Sequence, residues 1–242
     1  MADLGRGHRR SEAVPMNVPV PALGRVHNQR LRQMYRSAGW PCQDTVEIEL
    51  LAAGLLERVH ADRGPEHLRV TDAGIQRLAE ALNQNRAVLD AHEALVTRVA
   101  EHLVANERIA WCGLTLLAKP AEQWLHLRPD VFSIRNTTVE DYVEPIVHEI
   151  KVKRADLRAD LKKPEKRAGY IAMSSEFYYV LAEGVAEPDE IPPECGVMLA
   201  SIDNLRILRA SPKRAMRLSF NTFMTLAKSD RVRTLREPTP RF

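Results

Sequence analysis

The spacing of apolar residues divides the chain into two structured units with a polar segment at each end. Residues 1–25 are rich in Gly, Arg and Pro without an apolar period, and residues 229–242 end in a polar, Pro-containing run. Such segments bury too little apolar surface to fold, so both ends are predicted to be disordered. The patterns between them predict one unit over 26–86 and a second over 87–228.

The first unit shows the order helix, helix, hairpin, helix. A Gly-Trp-Pro sequence at 39–41 breaks the first helix, Asp44 or Thr45 can cap the second, and Thr71 can cap the third. A turn sequence at 62–65 separates two short strand patterns. This order resembles a small winged-helix α+β domain. The predicted elements are helices over 28–37, 46–55 and 71–82 and strands over 56–60 and 67–70.

The second unit alternates helices with strands rich in apolar residues, which is typical of a mixed α/β sheet flanked by helices. Pro164 lies inside the basic helical pattern of 154–172 and is predicted to interrupt it. The predicted elements are helices over 88–104, 154–172 and 217–228 and strands over 109–117, 131–135, 146–152, 177–182 and 196–201.

The composition of the 242-residue chain is ordinary, with 45% hydrophobic and 28% charged residues. No apolar run approaches the roughly 18 residues that a membrane-spanning helix needs, and the basic N-terminus is not followed by the apolar region of a signal peptide. The three cysteines are far apart and odd in number, which argues against a disulfide framework or a zinc site. We therefore expect a cytoplasmic protein without a membrane partner.

Basic residues are concentrated in two segments, although the net charge is only +3. Residues 153–167 hold seven Lys or Arg and three acids, and residues 204–217 hold five Lys or Arg and no acid. Charge sorted in this way can make one face attractive to the phosphates of DNA. Solvated helix faces that happen to be basic are the alternative. The predicted DNA-binding residues are Lys153, Arg154, Arg158, Lys162 and Lys163.

Three polar residues on two predicted strands form the candidate reactive site. Asp130 stands at the entry to the strand 131–135, and Glu149 and Lys151 lie within the apolar strand 146–152. Alternate side chains of a strand share a face, so Glu149 and Lys151 project together. Charged groups in the middle of an apolar strand are costly to bury unless they pair or bind an ion. If the two strands are neighbours, Asp130 can approach Glu149.

These residue types suit the hydrolysis of a phosphodiester. Asp130 and Glu149 provide hard oxygen ligands for Mg²⁺ or Mn²⁺, which polarises a phosphate oxygen and lowers the pKa of a bound water. Lys151 can orient that water, help deprotonate it, or stabilise the charge of the transition state. Glu93, in the preceding helix, can complete the metal shell or hold a second ion. The bare pattern is weak, and a surface Asp with a strand-edge Glu–Lys pair is the alternative.

Other polar residues near this pattern are predicted to be structural. His148 points to the opposite face of its strand from Glu149. Tyr178 and Tyr179 lie on an apolar strand and are expected in the core. The remaining acids are expected to pair with nearby bases rather than to bind a metal; these are Asp156 and Asp160, with Arg154, Arg158 and Lys163 as partners.

Several segments together carry a resemblance to a known family. The first is 128–135, which reads Arg-Pro-Asp-Val-Phe-Ser-Ile-Arg, and the second is 148–160, which begins His-Glu-Ile-Lys. Further matching positions lie in 177–180 and 183–197. From the helix that holds Glu93 to about residue 211, the chain is similar to the MmcB-related family, bacterial proteins assigned to DNA repair within the PD-(D/E)XK nuclease superfamily.

The resemblance implies the restriction-endonuclease-like fold, metal-dependent cleavage of DNA and a role in DNA repair. It implies that Asp130, Glu149 and Lys151 are catalytic, whereas Glu93 matches only by its position in the helix. The chain departs from the family in its first unit and in 162–166, where a Trp and further aromatic residues are expected. These departures bear on the repair pathway more than on the chemistry.

The leading hypothesis from the sequence is a Mg²⁺-dependent DNA nuclease acting in repair. One alternative is a non-catalytic DNA-binding or adaptor protein that has kept the nuclease fold, and another is a winged-helix transcription regulator. The predicted recognition helix carries Glu47 and Glu49, which would repel phosphates. The first unit is therefore expected to serve as a homodimer or repair-protein contact at least as readily as a DNA contact.

Overall fold

The computed structural model describes residues 22–37, 39–60 and 65–233. It shows two compact units that divide between residues 85 and 86. Most of the two ends that the sequence predicts to be disordered lies outside the described residues, and so does most of the predicted turn at 62–65. No helix among the described residues is long and apolar enough to cross a membrane.

The first unit combines helices with a two-stranded antiparallel sheet. Its elements are α1 (Arg25–Arg36), α2 (Thr45–Ala52), β1 (Leu56–Val59), β2 (His67–Val70) and the start of α3 (Asp72–Ala105). Asp44 caps α2 by accepting the Glu47 N–H at 2.9 Å, and Thr71 accepts the Gly74 N–H at 3.1 Å at the start of α3. The predicted order of elements is therefore confirmed, while the winged-helix assignment stays a prediction. One buried leucine from each element contributes to the core, namely Leu31, Leu50, Leu56, Leu68 and Leu78.

A single helix, α3, replaces the two helices that the sequence predicts over 71–82 and 88–104. It runs without interruption from Asp72 to Ala105. Residues 83–87, Asn-Gln-Asn-Arg-Ala, lack an apolar stripe, which suggests a boundary, but they contain neither Gly nor Pro. Each of these residue types costs a helix interior at most about 0.7 kcal/mol, so nothing in this stretch stops the helix.

The second unit is built on a six-stranded mixed sheet. Its further helices are α4 (Arg154–Leu161), α5 (Pro164–Ala172) and α6 (Phe220–Ala227). Its strands are β3 (Arg108–Cys112), β4 (Leu116–Ala118), β5 (Leu125–Leu127), β6 (Val131–Arg135), β7 (Ile146–Lys151), β8 (Glu176–Ala182), β9 (Gly196–Ala200) and β10 (Leu205–Arg209). The large sheet has the order β10-β9-β8-β7-β6-β3, and β4 pairs separately with β5. Within the large sheet β7, β8 and β9 run parallel, and the other pairings are antiparallel.

Helices cover both faces of this sheet, as the predicted α/β class requires. On one face, Val99 of α3 packs in the same apolar cluster as Ile150 of β7. On the other face, Leu157 of α4 and Tyr170 of α5 pack in a cluster with Val147 of β7. The prediction of a mixed sheet flanked by helices is confirmed, and α4 and α5 are separated at Pro164 as predicted.

Four other stretches differ from the prediction. The apolar stretch 109–117 forms two strands in different sheets, because Gly113 adopts a left-handed φ of +58° and ends β3. The sequence does not predict β5, which has three residues, or β10, which reads as a basic segment. Residues 229–233 belong to the end predicted to be disordered, yet the Val232 N–H donates to the Ala110 carbonyl at 2.8 Å and its side chain packs against the α3 face.

Gly39 and Gly54 provide a matched test of the packing of the first unit. Both have a left-handed φ, +75° and +67°, so alanine strains the backbone by about 1–2 kcal/mol at either position. At Gly39 a Cβ would also lie 1.9 Å from the Leu68 carbonyl oxygen, whereas at Gly54 it would meet nothing within 4 Å. We expect Gly39→Ala to lower the free energy of unfolding in urea more than Gly54→Ala does. Equal losses would contradict the close contact between Gly39 and β2.

Candidate active site

Glu149 and Lys151 occupy alternate positions near the end of β7, on the face covered by α4 and α5. Val147 precedes them on this face and packs in the core, whereas Ile150 packs on the α3 side. Both charged side chains are nearly inaccessible, with Glu149 3% and Lys151 8% exposed. Charges buried to this degree are costly unless they are paired and hydrogen-bonded. The strand therefore has to bring partners to these two groups.

Asp160 of α4 and Lys166 of α5 complete a buried ion cluster with Glu149 and Lys151. Glu149 Oε1 accepts hydrogen bonds from Lys151 Nζ at 2.6 Å and from Lys166 Nζ at 2.7 Å. Lys166 Nζ also donates to Asp160 Oδ1 at 2.6 Å. The second Asp160 oxygen accepts the Tyr179 hydroxyl at 2.9 Å. The buried ion cluster thus contains two carboxylates and two ammonium groups that compensate one another.

The cluster holds Asp160 and Lys166 in their charged forms. Burial raises the pKa of Asp160, but the two lysines and the Tyr179 hydroxyl outweigh it, so this pKa lies below its ordinary value. Burial lowers the pKa of Lys166, but the two carboxylates in contact with it reverse this and raise its pKa above the ordinary value. Both Asp160 and Lys166 are therefore ionised at neutral pH.

The partners of Asp160 differ from those predicted. Pairing within a helix was expected from spacings of three or four residues, yet Asp160 turns inward and meets a lysine six residues further along the chain. The break before Pro164 makes this possible, because Lys166 belongs to a new helix rather than to a continuation of α4. Arg154, a predicted partner, pairs instead with Glu190 at 2.6 Å.

Asp130 stands directly before β6 and next to Glu149. Val131 is opposite His148 in the register of β6 and β7, so the preceding residue lies beside Glu149. The Ile150 N–H donates to Asp130 Oδ2 at 2.7 Å. Burial, and after it the negative charge of Glu149, raises the pKa of Asp130. The two carboxylates that the sequence identifies are thus brought close enough to repel each other.

The fit of a cation can be judged from the oxygens of these two carboxylates. Glu149 Oε2 is buried, and no donor among the described residues reaches it. A cation would give this oxygen a partner and would offset the repulsion between Glu149 and Asp130. The described residues contain no group of three or more His, Cys, Asp or Glu that could hold a metal ion. Mg²⁺ is commonly held by one or two carboxylates with waters completing its shell, so Asp130 and Glu149 have the donor types that could hold Mg²⁺ or Mn²⁺.

A cleft of about 220 Å³ opens beside Asp130. Its walls are formed by His92, Glu93, Val96, Cys112, Gly113, Arg128, Pro129 and Asp130. His92 Nε2 lies 3.4 Å from Asp130 Oδ2, and His92 Nδ1 lies 3.4 Å from Glu93 Oε1. Glu93 therefore lines the same cleft as Asp130, while its role in a metal shell stays a prediction. Its side chain is 66% exposed, however, and it is linked to Asp130 through His92.

Sequence reasoning misses three residues that contact this site: His92, Asp160 and Lys166. A signal for Lys166 is Tyr170 four positions later, because side chains at i and i+4 share a helix face, and Lys166 Nζ lies 5.2 Å from the centre of the Tyr170 ring. A signal for Asp160 is Leu157, the buried residue three positions earlier in α4. His92 gives no comparable signal.

The aromatic residues predicted to be structural are buried. His148 stacks on Tyr178 with ring centroids 5.7 Å apart. Burial lowers the pKa of His148 to about 3, so its imidazole is neutral. Tyr178 and Tyr179 are 5% and 1% exposed and belong to the core, as predicted. Tyr179 also stabilises Asp160 through its hydroxyl, which the sequence does not reveal.

The basic residues predicted to contact DNA lie in and around α4. Four of them are exposed and form no ion pair with any described residue, and these are Lys153, Arg158, Lys162 and Lys163. Arg154 is exposed as well, but its guanidinium is engaged by Glu190 and the Val185 carbonyl. The surface around α4 therefore keeps free positive charge close to Lys151.

The second basic segment, 204–217, is largely engaged within the fold. Arg209 donates to the carbonyls of four residues in the loop before β9 and at its start. Lys213 pairs with Glu144, and Arg217 pairs with an acidic side chain at 2.9 Å. The prediction that this segment adds to a DNA-binding surface is therefore weakened, because four of its five basic side chains are already engaged, two by acidic side chains and two by backbone carbonyls.

Comparisons with known proteins give little information. A scan against protein-family models gave no match, and a search of curated proteins gave none. Among solved structures, a protein of unknown function from Silicibacter pomeroyi is similar, with 26% sequence identity over 54% of this chain and 77% of that chain. Its TM-score of 0.39 is too low to support an argument about fold or function.

Replacing Asp160 by Asn tests the buried ion cluster. The change keeps the shape of the side chain but leaves Lys166 with one carboxylate partner instead of two. Breaking a buried ion pair by removing one partner costs about 3–5 kcal/mol, and we expect a loss of this order in the free energy of unfolding. Asp156→Asn, at an exposed position of the same helix, should change it by less than about 0.5 kcal/mol.

The same variant should alter the response to acid. Because the pKa of Asp160 is depressed in the folded protein, its contribution is complete above the unfolded-state pKa of about 4 and disappears as the pH falls through the lower folded-state value. The wild type should therefore lose stability more steeply below about pH 4 than Asp160→Asn does. Parallel acid-unfolding curves for the two proteins would argue against the cluster.

Proposed function

We propose that this protein is a metal-dependent DNA nuclease of the PD-(D/E)XK type. The observation that carries the proposal is the state of Glu149. One of its oxygens is fixed by two lysines, and the other is buried and forms no hydrogen bond with a described residue, while Asp130 lies next to Glu149 in the sheet. The proposed role in DNA repair follows the resemblance to the MmcB-related family.

The proposed fold is the restriction-endonuclease-like class. Its support is the mixed sheet with helices on both faces and the position of the acidic residues on adjacent strands, with Asp130 before β6 and Glu149 within β7. Lys151 follows two positions after Glu149, so both side chains reach the same face. This is the arrangement that the sequence pattern requires if the three residues act together.

In the proposed mechanism each residue of the candidate active site has a separate role. Mg²⁺ held by Asp130 and Glu149 would polarise a phosphate oxygen and lower the pKa of a water. Lys151, as an ammonium group, has donors and no acceptor, so in its paired state it orients the attacking water or stabilises negative charge on the phosphate. Lys166 fixes Glu149 Oε1. Glu93 is proposed to support the site from the cleft.

The substrate contact is proposed to lie around α4. Lys153 is the residue directly before α4 and follows Lys151 by two positions. A phosphate bound to Lys153 would therefore lie near the end of β7 that carries Lys151. Arg158, Lys162 and Lys163 extend this positive surface. Contacts with phosphates supply most of the sequence-independent affinity for DNA, and each releases counterions.

The first unit is proposed to be a winged-helix-like module that binds a partner. Glu47 is buried and accepts the Gln43 N–H at 2.9 Å, and Glu49 hydrogen-bonds to His27. The objection that these acids repel DNA therefore loses force for Glu47, because it faces the interior. Large apolar side chains that remain exposed favour a protein partner, either a second copy or a repair protein; these are Val26, Tyr35, Trp40 and Ile48.

A non-catalytic DNA-binding protein is the second candidate. The observation that favours it is the mutual compensation of charge in the buried ion cluster, in which Lys151 already has Glu149 as a partner at 2.6 Å. A structural ion cluster would look the same. A transcription regulator has no comparable support from the geometry of the second unit.

A cleavage assay distinguishes these functions. Purified protein is incubated with plasmid, single-stranded and branched DNA, with and without Mg²⁺ or Mn²⁺. We expect cleavage that depends on the metal and that falls by at least about 100-fold in Glu149→Gln and in Lys151→Gln, because each removes electrostatic stabilisation of the transition state. DNA affinity, measured in Ca²⁺, should change little. Asp156→Asn serves as the matched control and should cleave like the wild type.

The outcomes separate activity from structure. DNA binding by the wild type without cleavage of any substrate in either metal would favour the non-catalytic candidate. Unaltered cleavage by both Glu149→Gln and Lys151→Gln would exclude this site. Failure of these variants to fold, judged by circular dichroism, would indicate a structural ion cluster.

A further inference from the structure

Arg128 lines the cleft beside Asp130, and a hydrogen bond to the backbone orients its guanidinium there. Its Nε donates to the Gly113 carbonyl at 2.7 Å, and its side chain lines the cleft together with Asp130 and His92. Among the described residues, no carboxylate forms an ion pair with it. The remaining N–H groups of its guanidinium are therefore available to a ligand in the cleft.

Gly113 provides the space that this arginine needs. A Cβ at Gly113 would lie 2.9 Å from Arg128 Nη2 and 3.2 Å from its Nε, so any other residue would require the guanidinium to shift. Gly113 also has a left-handed φ of +58° and donates its N–H to the Asp130 carbonyl at 3.0 Å. One glycine thus links the position of Arg128 to the backbone of a candidate metal ligand.

The backbone of Arg128 is held from the opposite side. The Tyr170 hydroxyl donates to the Arg128 carbonyl at 3.1 Å, and Tyr170 is fully buried in α5. α5 also carries Lys166 of the buried ion cluster, so the same helix positions both the cluster and the arginine. A side chain held at its backbone and at its guanidinium loses little freedom when it binds a ligand, which favours affinity.

The charges around the cleft indicate the class of ligand. Arg128 is its permanent cation, and its planar guanidinium matches a phosphate with two parallel hydrogen bonds. Glu93 and Asp130 are acidic, and they disfavour a phosphate unless a divalent cation is held at Asp130. A phosphate that approaches the cation at Asp130 would therefore meet Arg128 as its second positive partner.

We propose that Arg128 and Gly113 form a phosphate subsite that binds a backbone phosphate of DNA next to the metal-binding carboxylates. The proposal rests on the proposed nuclease function and adds a substrate contact to it. In this subsite Arg128 supplies the charge and Gly113 sets its position. The subsite is separate from the lysine-rich surface around α4.

The test measures DNA affinity in Ca²⁺ at several salt concentrations for Arg128→Ala, Arg128→Lys and Gly113→Ala. The salt slope is the slope of the logarithm of the affinity against the logarithm of the salt concentration. Losing one phosphate contact should reduce its magnitude by about 0.9 for duplex and about 0.7 for single-stranded DNA. Arg128→Lys should recover part of the affinity, because it keeps the charge but not the paired hydrogen bonds. Gly113→Ala should displace the guanidinium and lower the affinity by less than Arg128→Ala does, although it removes no charge.

Two variants control for unrelated effects. Gly184→Ala introduces the same kind of backbone strain, at a φ of +76°, where a Cβ would meet nothing within 4 Å. Arg206→Ala removes an exposed positive charge from β10. Both should keep the wild-type affinity and salt slope. Thermal unfolding of every variant shows whether the fold is kept. If Gly113→Ala does not fold, the results for Arg128→Ala and Arg128→Lys decide whether the subsite proposal stands.

The outcomes distinguish the subsite from the function on which it rests. A lower salt slope in Lys153→Ala but not in Arg128→Ala would overturn the subsite and leave the nuclease proposal intact. Equal losses in Arg128→Ala and Arg206→Ala would also overturn it, because they would reflect charge alone. A wild-type protein that does not bind DNA in Ca²⁺ would overturn both proposals.

Discussion

Two carboxylates and two ammonium groups meet beneath α4 and α5, and none of the four can be buried without its partners. Glu149 and Lys151 enter the interior because they lie on the covered face of a central strand. Asp160 and Lys166 have to be buried with them as partners. This requirement sets where α4 and α5 pack and where the break between them lies. The same charged contacts therefore form the candidate site and hold α4 and α5 on the sheet. A substitution that breaks one of these contacts affects both the site and the packing.

The opposite charges balance within the buried ion cluster, but they do not balance around it. Asp130 adds a third carboxylate, and its raised pKa reflects both its burial and its closeness to Glu149. The nearest basic side chain is His92, whose Nε2 lies 3.4 Å from it. Glu149 Oε2, buried without a donor among the described residues, marks the same imbalance. A divalent cation would correct this imbalance, and this is the reason for proposing a metal site at Asp130 and Glu149.

Local patterns in the sequence were sufficient for the elements that carry the site. The apolar runs of β6 and β7 are bounded by polar residues, and alternation along β7 places Glu149 and Lys151 on one face. Pro164 marks the break between α4 and α5. What could not be predicted depends on contacts between elements: the meeting of Asp160 with Lys166 requires the geometry of that break, and His92 is positioned by the packing of α3 beside β6.

The points at which helices and strands begin and end were harder to predict, for a different reason. α3 continues through 83–87 because nothing there opposes a helix, although its apolar stripe fades. The stretch 109–117 is interrupted at Gly113 because this residue turns the chain, although the apolar pattern continues. Hydrophobic periodicity reports which face is buried and says little about where the backbone turns.

The most direct measurement is a crystal structure of the protein soaked in Mn²⁺, with data collected at a wavelength where manganese scatters anomalously. The account predicts one strong anomalous peak between Asp130 and Glu149 Oε2, with Lys151 and Lys166 still bound to the other Glu149 oxygen. The same peak should be absent from Glu149→Gln crystals. No peak at these carboxylates in the wild type, at a Mn²⁺ concentration that supports DNA cleavage, would contradict the central claim.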